Sequence, residues 1–242
     1  MTARASLWCV LALFTTAHAD SPTVERTATL AQLFDAHEAG ELARTLPADQ
    51  PVKFRVRLPA KESGPVGLLV FVKPVASGEV PAAWVEPLDG RRLGWISADG
   101  YGNDKPTAQR VLVAMMAVKL AGQAATLDAH HIFIAGMSGG GRVASEVMTR
   151  FPRRFAGALY VVGANDHLPD EPQLSLLKKR RFVFITGSRD FNRHEMRQLA
   201  TRYQHAGVTQ LLLMDLPDYG HEYPDAGQMS QALDYLLAPA SP

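Results

Sequence analysis

The stretch His131–Arg150, HIFIAGMSGGGRVASEVMTR, decides how the chain is read. His131–Gly136 is an apolar run of strand length, and Gly141–Arg150 reads as a helix stopped by Pro152, because a proline pushes the residue before it out of helical geometry. Between them, Gly136-Met137-Ser138-Gly139-Gly140 satisfies the pattern G-x-S-x-G. A strand, sharp turn and helix in that order lift the serine hydroxyl above the edge of a sheet. Glycines flank the serine because a side chain there would collide with the neighbouring strand or helix. The start of the helix adds free N–H groups and the positive end of its dipole, both of which favour a developing oxyanion.

Two other readings share these residues. Gly136–Val143 nearly matches the phosphate loop G-x-x-x-x-G-K-[ST], but Arg142 stands where the lysine belongs and Val143 where a hydroxyl should hold magnesium. The other reading is a glycine-rich strand–helix junction with an idle serine.

Outward from this stretch, short apolar runs alternate with helical segments, which is the pattern of a mainly parallel sheet with helices on both faces. Val66–Val72, VGLLVFV, is continuously apolar, as a buried strand is. Val52–Leu58 alternates and reads as an edge strand. Further strands are expected over 93–97, 155–162, 182–186 and 210–216. Helices are expected over 107–120, with Val111, Ala114, Met115 and Val118 on one face, over 194–205, and over 225–237, with Met229, Leu233 and Leu237 inward. Residues 20–50 carry little strand signal, and Leu30, Leu33, Phe34 and Leu42 suggest a short amphipathic helix. The interval from Val162 to Phe182 is too short for a large inserted cap.

A serine hydroxyl attacks only if a base removes its proton and an acid orients that base. In strand-end sites of this kind the chain order is serine, acid, histidine. His221, in Tyr219-Gly220-His221-Glu222-Tyr223-Pro224, follows the last strand and precedes the last helix, where the base should lie. His167, His194 and His205 fit that order less well. The favoured acid candidate is Asp190, in Gly187-Ser188-Arg189-Asp190, with Asp166 one strand earlier as its rival. The oxyanion donors are expected to be the N–H of Gly139 and one from the loop Lys73-Pro74-Val75-Ala76-Ser77-Gly78. Pro74 has no N–H, which leaves Val75. Trp84, Trp95 and Tyr101 lie near the same edge, and core packing is the expected role of both tryptophans.

The chain of 242 residues has 25 Lys+Arg, 24 Asp+Glu and 47% hydrophobic residues, a balance that excludes disorder and coiled coil. A net charge of +1 removes the bulk electrostatic case for a nucleic-acid partner. The basic run Lys178-Lys179-Arg180-Arg181 reads as a solvated loop. Met1–Ala19 reads as a secretory leader: Arg4, an apolar run over 6–16 too short to span a bilayer, then Ala17-His18-Ala19 before a cut at Asp20. Residues 20–242 then form one domain with no net charge, exported to the periplasm or the exterior. Cleavage takes away Cys9, so the mature chain has no disulfide, thiol nucleophile or thiolate metal site. Nothing else in the sequence approaches membrane-spanning length, and no metal site is expected.

From Val52 to Leu237 the motifs around Ser138 (GMSGG), Asp190 (GSRD) and His221 (GHEYP) resemble those of the α/β-hydrolase superfamily. More narrowly, they resemble secreted feruloyl esterases, acetylxylan esterases and polyhydroxyalkanoate depolymerases. The resemblance implies an α/β-hydrolase fold with little or no cap and an ester hydrolase using a Ser-Asp-His triad. It also implies an acyl-enzyme intermediate and no cofactor. By position it makes Ser138 the nucleophile, His221 the base and Asp190 its orienting acid. Two features depart from the family: Lys73-Pro74 stands where His-Gly is usual, and the disulfides of many secreted members are missing. The expected substrate is a small or polymer-attached ester. A binding protein that kept the fold but lost catalysis, and a serine peptidase or acyltransferase, are the alternatives.

Overall fold

The structure is a computed structural model and describes residues 22–59 and 64–239. The expected leader, its cleavage point and Cys9 lie outside the described residues. In chain order the elements are β1 (Val24–Ala28), α1 (Leu30–Leu33), α2 (Ala36–Leu42), β2 (Val52–Arg57), β3 (Val66–Val72), α3 (Ala82–Asp89), β4 (Leu93–Ala98), α4 (Thr107–Ala124), β5 (Leu127–Met137), α5 (Gly139–Arg150), β6 (Gly157–Val161), α6 (Gln173–Leu177), β7 (Arg181–Gly187), α7 (Arg193–His205), β8 (Leu211–Leu216) and α8 (Ala226–Leu237).

The strands form one eight-stranded sheet in the order β1-β2-β4-β3-β5-β6-β7-β8. Only β2 runs against the rest, pairing antiparallel with both β1 and β4. Strand β3 is buried along its whole length. Its alternate residues feed two cores: Leu68, Val70 and Val72 face the helices α4, α5 and α7, while Leu69 and Phe71 face α3 and α8. Burying each such side chain contributes about 1.5–3 kcal/mol, so a strand covered on both faces needs the continuous apolar run seen in its sequence. This is the mainly parallel, doubly covered sheet that the alternation of elements predicts.

Parallel pairing also aligns strand ends. Val72 pairs with Gly136, Met137 with Val161, Val161 with Ile185, and Gly187 with Leu216. The carboxyl ends of β3, β5, β6, β7 and β8 therefore share one edge, and loops leaving that edge bring distant residues together.

Several elements differ from the sequence reading. β1 was not expected, because only Ala28 of its five residues is buried and the strand is recruited by backbone pairing to β2. That pairing removes β2 from the edge. α3 was also not expected, since Pro81 and Pro87 disguise it. α5 begins at Gly139, inside the glycine run, rather than at Gly141. In α8, Leu236 takes the fully buried place and Leu237 is half-buried. The basic run is tied down: Arg180 Nε donates to the Pro152 carbonyl (2.9 Å) and Arg181 Nη1 to the Tyr235 carbonyl (3.2 Å). Trp84 of α3 and Trp95 of β4 are both buried in the core between the sheet and the helices α3 and α8, the core-packing role expected of them. Between β6 and β7 only the short α6 forms.

Candidate active site

Ser138 follows β5 and precedes α5 with φ 53° and ψ −122°, a backbone state that non-glycine residues rarely occupy. Such a state costs about 1–3 kcal/mol and persists only when its surroundings enforce it. Here the Ser138 N–H donates to the Val161 carbonyl (2.8 Å), and its carbonyl accepts from the Arg142 N–H (3.1 Å). The glycines allow the tight turn. A Cβ on Gly136 would lie 2.2 Å from the Gly140 carbonyl oxygen, and one on Gly140 would lie 2.0 Å from the Val72 carbonyl oxygen. Arg142, at the position of a phosphate-loop lysine, is committed to Glu195 (2.8 Å) and to the Ala164 carbonyl (3.1 Å).

Asp190 leaves β7 in a turn closed by its own N–H to the Gly187 carbonyl (3.0 Å). Its carboxylate is fully buried, and three donors surround it. Thr186 Oγ1 donates to Oδ2 (2.7 Å), while the Asn192 N–H (3.1 Å) and His221 Nδ1 (2.9 Å) reach Oδ1. Because a carboxylate only accepts, Nδ1 carries a proton in this bond, and Nε2 makes no hydrogen bond to a described residue. The rival acid, Asp166, is mostly exposed and pairs with Arg202, away from His221.

The His221 loop is held from both sides. The Tyr219 carbonyl accepts from the Arg189 N–H (3.0 Å), and the Asp218 N–H donates to Ser188 Oγ (2.9 Å), which ties the histidine loop to the acid loop. Beyond the histidine, Trp84 Nε1 donates to the Pro224 carbonyl (2.9 Å). Burial pushes the Tyr219 phenol above its ordinary range, and its hydroxyl donates to the Glu222 carbonyl (2.7 Å). Phe191 stacks on the imidazole with centroids 4.1 Å apart and an interplanar angle of 22°, yet remains 77% exposed.

On the other side of Ser138, the N–H of Gly139 is one of the unpaired donors that any helix start leaves free. Val75 is half exposed, and its N–H donates to no described residue. The Lys73-Pro74 loop that carries Val75 is braced by the loop after β4 and by Arg110 of α4. The Pro74 carbonyl accepts from the Asn103 N–H (2.8 Å), the Ala76 carbonyl from the Gly100 N–H (2.6 Å), and the Lys73 carbonyl from Arg110 Nη2 (2.8 Å). Lys73 Nζ donates to the Glu79 carbonyl. Lys73 and Arg110 are both buried, and burial pulls both side-chain pKa values down.

The structure thus brings His221 and Asp190 into direct contact and puts Ser138, Gly139 and Val75 at the same edge. Sequence reasoning missed Thr186, Asn192, Asn103 and Arg110. None of these left a clear trace in the sequence: Arg110 stands in the first turn of α4, just before its apolar run, where an arginine is ordinary. No His, Cys, Asp and Glu cluster suited to a metal ion occurs among the described residues, and no described helix is long and apolar enough to cross a membrane.

This edge geometry on a sheet with one reversed strand is that of the α/β-hydrolase fold, and solved structures agree. A feruloyl esterase module from Clostridium thermocellum, solved with sinapinate, is similar with a TM-score of 0.63 at 11% identity, over 90% of this chain and 86% of that one. A dienelactone hydrolase-like protein from Klebsiella pneumoniae gives 0.62 at 13% identity, over 90% and 99%. The S-formylglutathione hydrolase FrmB of Staphylococcus aureus gives 0.59 at 15% identity, over 88% and 94%. No protein-family model and no curated protein sequence matches the chain.

Proposed function

We propose that the chain is an exported carboxylic-ester hydrolase in which Ser138, His221 and Asp190 form a catalytic triad. The observation that carries this reading is the His221–Asp190 bond (2.9 Å), made at the sheet edge where Ser138 sits in its strained turn. The α/β-hydrolase fold supports it as an analogy of architecture.

In the reaction, Ser138 Oγ attacks the ester carbonyl carbon while His221 Nε2 takes its proton. The carbonyl π pair moves onto oxygen, and the N–H groups of Gly139 and Val75 stabilise that oxyanion. As the tetrahedral species collapses, the imidazolium returns the proton to the departing alcohol. Water, deprotonated by the same imidazole, then releases the acid and restores the serine. Asp190 holds the Nδ1–H tautomer and steadies the imidazolium without becoming protonated. With only α6 between β6 and β7, the site is open, which suits an ester carried on a polymer as well as a small one.

The test is a fluorophosphonate probe together with a panel of short aryl esters, acetylated and feruloylated sugars and hydroxyalkanoate oligomers. Labelling and hydrolysis that both vanish in Ser138→Ala are expected. A folded protein that neither labels nor hydrolyses any ester would leave the binding-protein reading. Matched amides hydrolysed faster than esters would instead favour the peptidase. Export is tested by sequencing the amino terminus of protein recovered from the periplasm or medium, which should begin at Asp20.

A further inference from the structure

The Asn103 carboxamide lies on the oxyanion side of Ser138 and takes no part in the triad. A Cβ built on Gly139 would fall 2.2 Å from Asn103 Oδ1 and 2.7 Å from Nδ2, so the amide plane rests against the residue that follows the serine. Glycine at 139 leaves that space to Asn103.

Arg110 determines which way the amide faces. Its Nη1 donates to Asn103 Oδ1 (3.1 Å). A guanidinium has no acceptor, so the Asn103 atom facing it is the carbonyl oxygen, and the NH₂ group points elsewhere. That NH₂ donates to no described residue, and Asn103 is exposed to solvent at the site rim. Arg110 itself is only 5% exposed, has no ion-pair partner among the described residues, and its Nε finds no acceptor. A cation buried this way is costly. Its two bonds go to the Lys73 carbonyl and to Asn103, one on each loop flanking the donors. The positive charge behind the carbonyl also polarises the amide and strengthens its N–H as a donor.

We propose that the Asn103 side-chain amide is a third oxyanion donor beside the N–H groups of Gly139 and Val75, and that Arg110 is its positioning residue. The proposal rests on Ser138 being the nucleophile. No bond at Asn103 is made or broken: its N–H shortens onto the oxygen as negative charge develops there and lengthens when the carbonyl re-forms.

Asn103→Asp keeps the shape and the acceptor for Arg110, removes the donor and adds a negative charge, so it is read together with the uncharged Asn103→Ala. The expected result is an unchanged or higher melting temperature, a KM within about threefold of wild type, and kcat lower by about 10²–10³-fold, the loss typical of one oxyanion donor. Asn103→Ala should lose a similar factor in kcat, and affinity for an aryl boronic acid should fall in parallel with kcat/KM. Arg110→Met should lower kcat in the wild-type background and lower it by a clearly smaller factor in the Asn103→Ala background, where only its bond to the Lys73 carbonyl is left to lose. If Ser138→Ala abolishes hydrolysis while Asn103→Asp and Asn103→Ala keep kcat within about threefold, the amide is no donor and the proposal fails. If the wild-type protein shows no serine-dependent hydrolysis, the triad reading fails first and takes this inference with it.

Discussion

The two sides of Ser138 are built on different principles. On the side proposed to move the proton, His221 and Asp190 each come from one loop, and a single 2.9 Å bond joins them. On the side proposed to stabilise charge the groups are dispersed: Gly139 starts α5, Val75 follows β3, Asn103 lies in the loop after β4, and Arg110, which positions it, sits in α4. Proton transfer needs particular side chains, so each position is tied to a residue type. Oxyanion binding draws on backbone N–H groups, which nearly every residue has, so the work lies in bracing the loops. The buried Arg110, the Asn103–Pro74 bond and the Gly100–Ala76 bond provide that bracing.

The sharpest way to break this contrast is through the acid. Asp190→Asn should lower kcat by about 10⁴-fold while the protein stays folded, because the wrong imidazole tautomer is then favoured. Asp166→Asn should leave ester hydrolysis within about twofold, since a surface pair with Arg202 is all it breaks. The reverse outcome in steady-state kinetics would move the acid to the neighbouring strand.

The next effect probes close packing on the charge-stabilising side. Gly140→Ala puts a methyl 2.0 Å from the Val72 carbonyl oxygen and should cost about 3 kcal/mol in urea denaturation, because backbone must move. Gly40→Ala, in α2 with nothing within 4 Å, is the control and should gain up to about 1 kcal/mol from helix propensity.

Phe191→Ala removes the ring stacked on His221. An aromatic contact of this kind is worth about 0.5–1.5 kcal/mol, so kcat should fall by about two- to tenfold. Full activity in this variant would mean that the bond to Asp190 orients the imidazole unaided.

The smallest effect lies at the far edge of the sheet. The Arg193 guanidinium, followed by Arg197, holds the Asp215 carboxyl below its usual range. A depressed folded-state pKa contributes stability above the ordinary carboxylate range, and that contribution is lost as pH falls through the lowered value. Asp215→Asn should therefore cost at most about 1 kcal/mol at pH 7, and melting curves of variant and wild type should converge in acid.

Much of the molecule was legible because its signals are local. VGLLVFV could only be a doubly covered strand, and the glycines around Ser138 marked a backbone forced through a tight turn. Other parts lacked any local signal. β1 exposes most of its residues and is recruited by pairing with β2. α3 is preceded by one proline and contains another, which argues against a helix, yet its own buried Trp84 secures the histidine loop through Pro224. Thr186 and Asn192, which complete the shell around Asp190, are ordinary residues whose role appears only when their hydroxyl and N–H are aimed at one carboxylate.

By itself, the sequence determined the alternation of strands and helices, the turn at Ser138, and a serine, an aspartate and a histidine each just past a different strand, because each depends on residue chemistry within a few positions of the chain. Only the tertiary structure decided that Asp190 rather than Asp166 meets His221, and that Arg110 reaches both Lys73 and Asn103. Those contacts depend on where parallel strands end relative to one another, and that register is set by packing across the whole sheet.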